Sequence, residues 1–476
     1  MLDLVRRNWR FFVIGSVAAL VPRFLFLIRF PGVVTDSFVY GDIAKNWLQH
    51  GIYGFSGAEI SPTYIRLPGY PAFLAFMFAI FGSDHYHAAL VVQIFVDLGT
   101  CYLCADIALR LLGARGAKIA FLLAALCPFL ANYSAAALTE TLEVFFTAMA
   151  LALAVRGLED PDLRYWAGCG GASAGAILLR PDGALLIVAI EAYVAAKLVF
   201  QKQFRPPTQV RLKLQAIFLL AVIAVLPLVP WTLRNWKVFH RFQPLAPRYA
   251  NEEGEFIPMG FNHWVKTWIA DYVSVEEIYW QVPGNAIDAE KLPSRAFDNR
   301  AQQKQTLALI EDYNQLLHIT PRLDRKFETL ATTRTNAHPS RYYVGLPILR
   351  IADMWLRPRT EMLPSDSRWW EFNDELKWSA LAVAFGAINL FYVLSALAGA
   401  LQSRGLQWAG LLILFVVLRS AFLATLENPE PRYTLEMYPA VIVFAAAASK
   451  KNEAYPKGES VMRNRVRTCS DNSSMA

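Results

Sequence analysis

Residues Thr35–Pro71 read TDSFVYGDIAKNWLQHGIYGFSGAEISPTYIRLPGYP. The stretch follows a strongly apolar segment and opens with an acid, Asp36. Apolar residues then recur at helical spacing: Val39, Tyr40, Ile43, Ala44, Trp47 and Leu48. Side chains three and four apart share one helix face, so this spacing predicts a short amphipathic helix. Thr35 suits its N-cap, and Gly51 suits the left-handed residue that closes a helix. Such a helix belongs on a membrane surface rather than in hydrocarbon. It is expected to form the first wall of an active site facing away from the cytoplasm, with Arg66 placed just ahead of a Pro-Gly-Tyr-Pro turn.

The rest of the chain supplies the membrane. Of its 476 residues 55% are hydrophobic and 18% charged, against about 25% charged in a soluble domain. Apolar runs of roughly 20 residues, the length that spans a bilayer, recur throughout. The fold class is therefore an all-α polytopic membrane protein. The net charge of +7 sits in short loops between apolar runs, where it sets topology, and it does not indicate a nucleic-acid partner. Cys101, Cys104, Cys127 and Cys169 lie in apolar segments and Cys469 in a polar tail. Cys101 and Cys104 have a redox spacing but no βαβ context, so they read as small buried hydrophobes.

Arg6, Arg7 and Arg10 precede the first span, Phe11–Phe30, and place the N-terminus in the cytoplasm. That span lacks a small-residue cleavage site. Tyr70–Phe81 is too short to cross comfortably and reads as a second juxtamembrane or half-inserted helix. Further spans are expected over Ala88–Leu112, Ile119–Leu130, Thr141–Val155, the small-residue segment Tyr165–Leu179, Ala184–Phe200, Leu214–Trp231, Lys377–Leu401, Trp408–Leu426 and Thr434–Ala448. About ten crossings result, with both termini cytoplasmic. The expected organisation is a catalytic membrane module over 1–234 with a first outer loop at 31–69, a cap over 235–376, C-terminal helices over 377–449, and a disordered tail over 450–476. The cap is too long for a simple loop and should be a small, mainly helical fold, with Gln303–Ala331 a soluble helix.

On this topology Asp36, Arg66, Glu140, Arg180, Asp182, Arg234, Glu427, Glu430 and Arg432 converge at the outer ends of the spans. Charges at apolar boundaries are expensive unless paired or used. Arginine offers a bidentate fork for phosphate oxygens, and a carboxylate suits removal of a hydroxyl or amine proton. Together they describe group transfer from a lipid phosphate, with no nucleotide motif present. Plainer roles stand beside these: Asp36 and Glu140 both suit helix starts, and Arg66 and Arg234 suit interfacial snorkelling. His85 and His87 form a pair without further ligands, so no metal site is assigned.

These residues resemble the GT-C superfamily of integral-membrane glycosyltransferases. The likeness is to the bacterial group related to dolichyl-phosphate-mannose protein mannosyltransferases and lipid A aminoarabinose transferases. It rests on TDSFVYGDIAKNWLQHGIYG, RLPGYPAFLA, LTETLEVFF, LLRPDGALL, PWTLRNWKVFHRF and EPRYTLEMYP, in family order from Asp36 to Pro439. The resemblance implies a polyprenyl-phosphate-linked sugar donor, a lipid, glycan or protein acceptor, and inversion at the anomeric carbon. It also implies reaction at the periplasmic face of a bacterial inner membrane. It makes Asp36 the catalytic base and Glu140 a second acid. Arg66 and Arg432 become donor-phosphate ligands, to which the outer-face charges add Arg180 and Arg234. Tyr40, Tyr64 and Tyr433 are expected to contact substrate. The superfamily differs in its need for a divalent metal, so that cofactor stays open. Protein mannosyltransferases begin this loop with Asp-Glu; Asp36-Ser37 argues for a lipid- or glycan-directed enzyme. The alternative readings are a transporter or flippase of a lipid-linked glycan, which would not need Asp36 as a base, and a non-catalytic assembly subunit.

Overall fold

The computed structural model describes residues 1–160, 162–200, 207–373, 375–403 and 405–449. The expected tail over 450–476 lies outside the described residues. A short helix, α1 (Leu2–Arg7), leads into α2 (Trp9–Arg29), whose exposed Val13, Ile14, Val17 and Val21 suit a lipid environment. Its one fully buried charge, Arg23, donates to Asp97 Oδ2 at 2.6 Å and to the carbonyls of Ala19 and Ala125 at 2.6 and 2.8 Å. A charge inside the hydrocarbon has to be paired in this way.

The amphipathic helix appears as α3 (Thr35–His50), closed by Gly51 at φ 70°. Its start corrects the expected cap. Val34 is the N-cap and Thr35 already helical, because Ser37 Oγ accepts the Val34 amide at 3.0 Å. A two-stranded hairpin, β1 (Gly54–Phe55) and β2 (Ser61–Pro62), then returns the chain to α4 (Gly69–Phe81). A methyl group on Gly69 would stand 2.6 Å from the Leu178 carbonyl, so only glycine lets α4 start against that backbone.

The next element, α5 (Tyr86–Ala125), doubles back at Gly113, which has φ 81°. On a straight helix Tyr102 and Phe121 would be about 28 Å apart at 1.5 Å per residue; their ring centroids are 4.9 Å apart. The expected span Ile119–Leu130 is broken after Ala125, where Cys127 is extended and Pro128 opens α6 (Pro128–Ser134). The membrane module continues with α7 (Glu140–Glu159), α8 (Leu163–Leu179), α9 (Ala184–Phe200), α10 (Pro207–Val225) and α11 (Leu228–Phe239).

The segment 235–376, expected as a cap, contains α12 (Met259–Lys266), α13 (Tyr272–Glu277), α14 (Arg300–Leu316), α15 (Pro321–Ala337) and α16 (Leu346–Leu356). It buries its own apolar cluster around Trp264, Trp268, Tyr313 and Phe327. The expected helix over Gln303–Ala331 is two helices instead. Leu317 turns left-handed, and Thr320 caps a new start at Pro321, because proline cannot donate to the preceding turn.

The chain closes with α17 (Leu376–Gln402), α18 (Ala409–Leu423) and α19 (Tyr438–Ala448). A methyl on Gly399 would stand 1.8 Å from the Phe444 carbonyl, which is how closely α17 crosses α19. Among the described residues, six helical segments are long and apolar enough to cross a bilayer: Trp9–Arg29, Tyr86–Ala125, Glu140–Glu159, Pro181–Phe200, Val210–Phe239 and Leu376–Gln402. Gly69–Phe81 and Ala409–Leu423 are shorter apolar helices.

Candidate functional site

Asp36 sits in the first turn of α3 with its carboxylate 37% exposed. Arg66 Nη2 stands 3.4 Å from Oδ1 and Arg432 Nη2 3.9 Å from Oδ2. Local anchoring fixes Arg66. Tyr53 Oη donates to the carbonyls of Arg66 and Leu67 at 3.0 and 3.1 Å, and the Arg66 guanidinium lies 5.8 Å from the Tyr40 ring centroid. Burial pushes the Tyr40 hydroxyl up to about 12, against the pull of Arg66, so it stays a proton donor.

Arg432 lies in a 3-10 turn, Pro431–Met437, between α18 and α19. Its Nε is 2.6 Å from Glu430 Oε2 and its Nη1 3.8 Å from Glu140 Oε1. Burial works against its charge, but Glu430, Tyr433 and Glu140 outweigh burial and hold its pKa well above the ordinary value. Glu140, the first residue of α7, is 2% exposed and also faces Arg180 Nη1 at 3.9 Å. Arg180 lies 3.3 Å from Asp182 and 3.7 Å from Glu143, with its guanidinium 4.5 Å from the Tyr433 ring centroid. Beneath them Arg419, 1% exposed, binds Asp182 Oδ2 at 2.9 Å, approaches Glu143 at 3.5 Å and meets Glu436.

Two cavities meet at this cluster. One, of about 500 Å3, is lined by Glu140, Arg180 and Asp182 and by the apolar Leu179 and Phe422. The other, of about 880 Å3, lies against the cap and is lined by Tyr272, Glu276, Tyr279, Trp280 and Glu361. Asp36, Arg66, Arg248, Asn428, Arg432 and Tyr433 belong to both walls. Arg248 is held by Glu427 at 2.8 and 2.9 Å.

The structure thus brings together Asp36, Tyr40, Arg66, Glu140, Arg180, Arg432 and Tyr433. It does not bring Arg234 or Tyr64 to either cavity. Arg234 donates to the Tyr53 and Thr63 carbonyls at 2.7 Å each and staples the hairpin loop to α11. Tyr64 is 3% exposed and packs edge-on against Phe239 at 4.7 Å. Sequence reading missed Arg248, Arg419 and Glu436. Arg419 was findable as a lone charge in an apolar run, a functional signal by default; Arg248 carries no such mark.

The residues do not form a metal cage. Among the described residues no group of three or more His, Cys, Asp or Glu side chains is arranged to hold an ion, and the cleft carboxylates face guanidinium groups. Chemically, the cluster offers fixed cations for an anion, one partly exposed carboxylate beside them, and two compartments meeting at that carboxylate.

Residues 63–231 match the family model described as dolichyl-phosphate-mannose-protein mannosyltransferase; the match begins after Asp36-Ser37. No curated protein sequence matches the chain. Its fold is similar to that of the archaeal oligosaccharyltransferase AglB from Archaeoglobus fulgidus, solved with an inhibitory peptide and a dolichol-phosphate (TM-score 0.51, 12% identity, 93% of this chain and 50% of that one). An Archaeoglobus fulgidus oligosaccharyltransferase tethered to an acceptor peptide gives a TM-score of 0.52 at 12% identity, covering 94% of this chain and 50% of that one. ArnT from Cupriavidus metallidurans bound to undecaprenyl phosphate gives 0.42 at 17% identity, covering 92% and 77%. The chain spans about half the length of the oligosaccharyltransferase it matches, and what it shares with that enzyme is the fold.

Proposed function

We propose that this chain is an inverting glycosyltransferase that moves a sugar from a polyprenyl-phosphate donor to a lipid or glycan acceptor at the periplasmic face of a bacterial inner membrane. The observation that carries the reading is the position of Asp36, on a wall common to two cavities and beside Arg66 and Arg432. The smaller cavity has apolar walls at Leu179 and Phe422 and cations at Arg66, Arg180 and Arg432, which suits a phosphate carried on a lipid. The larger cavity, under the cap, suits the acceptor.

In the proposed step the acceptor hydroxyl attacks the anomeric carbon on the face opposite the phosphate. Its proton passes to Asp36, the new C–O bond forms, and the bond to the phosphate oxygen breaks. The phosphate leaves with the electron pair, and Arg66 and Arg432 hold the charge it gains. Glu140, 2% exposed and facing Arg180 and Arg432, is the second acid of the site, and its role is to position those two cations. The same reading takes the chain as ten crossings, with both termini inside and 235–376 as a periplasmic cap.

The test is transfer by the full-length chain in lipid nanodiscs, using lipid extracts of the source envelope as donor and acceptor, followed by mass spectrometry. A mass shift of one sugar on an extract component, absent with Asp36→Asn, is the expected result. A lipid-linked glycan translocated without covalent change would favour a flippase and overturn the reading.

A further inference from the structure

The two cavities differ in charge. Besides the residues they share, the smaller is lined by a mixture, Glu140, Arg180 and Asp182, whereas every charged residue lining only the cap-side cavity is a carboxylate: Glu276, Glu361, Glu427 and Glu430. The cations on this wall are already paired: Arg248 and Lys266 answer Glu427, Arg432 answers Glu430, and Arg66 answers Asp36. The other two carboxylates keep buried oxygens without a hydrogen-bond partner, Glu276 Oε2 and Glu361 Oε1. On Glu361 the second oxygen accepts from Tyr133 Oη at 3.4 Å. A buried acceptor left unpaired costs free energy until a donor arrives.

The remaining wall is aromatic. Trp280 is 42% exposed and braced edge-on by Tyr272 at 5.6 Å between centroids. Tyr249 and Tyr279 line the same space. Aromatic faces take up apolar surface, and their polar edges take hydrogen bonds. A molecule with flat C–H faces and several outward hydroxyl donors meets both demands. A phosphate meets neither: it brings no donor in its ionised form, and its charge is set against the two unanswered carboxylates, Glu276 and Glu361.

We infer that the cap-side cavity takes a neutral, polyhydroxylated saccharide as acceptor and rejects phosphorylated head groups. The inference rests on the glycosyltransferase reading and narrows its acceptor to a class.

The test is saturation-transfer NMR on the full-length protein in nanodiscs. The probes are neutral trisaccharides (cellotriose, chitotriose, mannotriose), mannose paired with mannose 6-phosphate, and a Ser/Thr-containing peptide. At least one trisaccharide should give a saturable signal, and mannose 6-phosphate should bind more weakly than mannose by about tenfold or more. Trp280→Ala should weaken the saccharide signal, and Glu276→Gln should narrow the gap between mannose and its phosphate. Silence from every trisaccharide, equal or tighter binding of the phosphate, or binding of the peptide alone overturns the inference. Undecaprenyl phosphate is titrated into the same discs by native mass spectrometry. If it binds and Arg66→Ala weakens it while saccharides fail, only the acceptor class falls; if both fail, the transferase reading falls with it.

Discussion

Arg432 Nη2 lies 3.9 Å from Asp36 Oδ2, which joins the turn before the last helix to the first helix after the opening span. Neither residue has the other near it in sequence. The contact sets the carboxylate proposed as base beside a cation proposed to hold the leaving phosphate.

Asp36→Asn keeps the shape of the side chain and removes its basicity. Transfer should fall by about 10²–10⁴-fold, the usual contribution of a general base, while thermal stability and polyprenyl-phosphate binding stay near the parent values. Turnover in single-turnover assays that matches the parent would remove Asp36 from the reaction.

Arg66→Ala should act on the donor. Loss of a charge-assisted hydrogen bond is worth about 1.5–3 kcal/mol, so donor affinity should drop by roughly tenfold to a hundredfold. Native mass spectrometry of the lipid complex reads this directly, and an unchanged affinity would count against Arg66 as a phosphate ligand.

Arg234→Ala should behave differently, because its guanidinium is spent on the Tyr53 and Thr63 carbonyls. The expected outcome is a lower melting temperature and faster proteolysis in the 53–63 hairpin, with donor affinity less affected than in Arg66→Ala. Equal donor loss in both variants would show that Arg234 reaches the phosphate after all.

Arg419→Leu should be the most destabilising. It leaves Glu436 buried without its cation and Asp182 and Glu143 with Arg180 alone, and breaking such a cluster costs about 3–5 kcal/mol. Poor recovery of folded protein from membranes is the expected readout; parent-like yield and melting temperature would contradict the assignment.

Asp353 makes the cap sensitive to pH. Burial pushes its carboxyl up to about 6, against Arg357 and the Tyr272 amide, which donates to it at 2.9 Å. A raised value in the folded state means the stability it lends is complete below the ordinary carboxyl range and is lost as pH rises through about 6. At about 1.4 kcal/mol per unit, the loss is on the order of 3 kcal/mol. Asp353→Asn keeps an acceptor for Tyr272 and should flatten the decline in melting temperature between pH 4 and 7. Superimposable pH profiles for the two proteins would refute this.

The membrane class, the surface helix over Thr35–His50 and its stop at Gly51 were written in local periodicity, because lipid and backbone geometry impose them one segment at a time. The helical content of 235–376 followed from length and composition, but its break at Pro321 was passed over, since the apolar pattern ran through it. The convergence of Asp36, Arg66, Glu140, Arg180 and Arg432 was also anticipated, because each sits at the same end of its segment. What only the tertiary structure decided was which way each charge turned. Arg234 and Tyr64 have the same local signals as Arg66 and Tyr40, yet they face backbone carbonyls and Phe239 instead of the cleft. Arg248, on an unpatterned stretch, lands in the shared wall. A side chain's partner depends on packing between segments distant in the chain, and no local pattern encodes that choice.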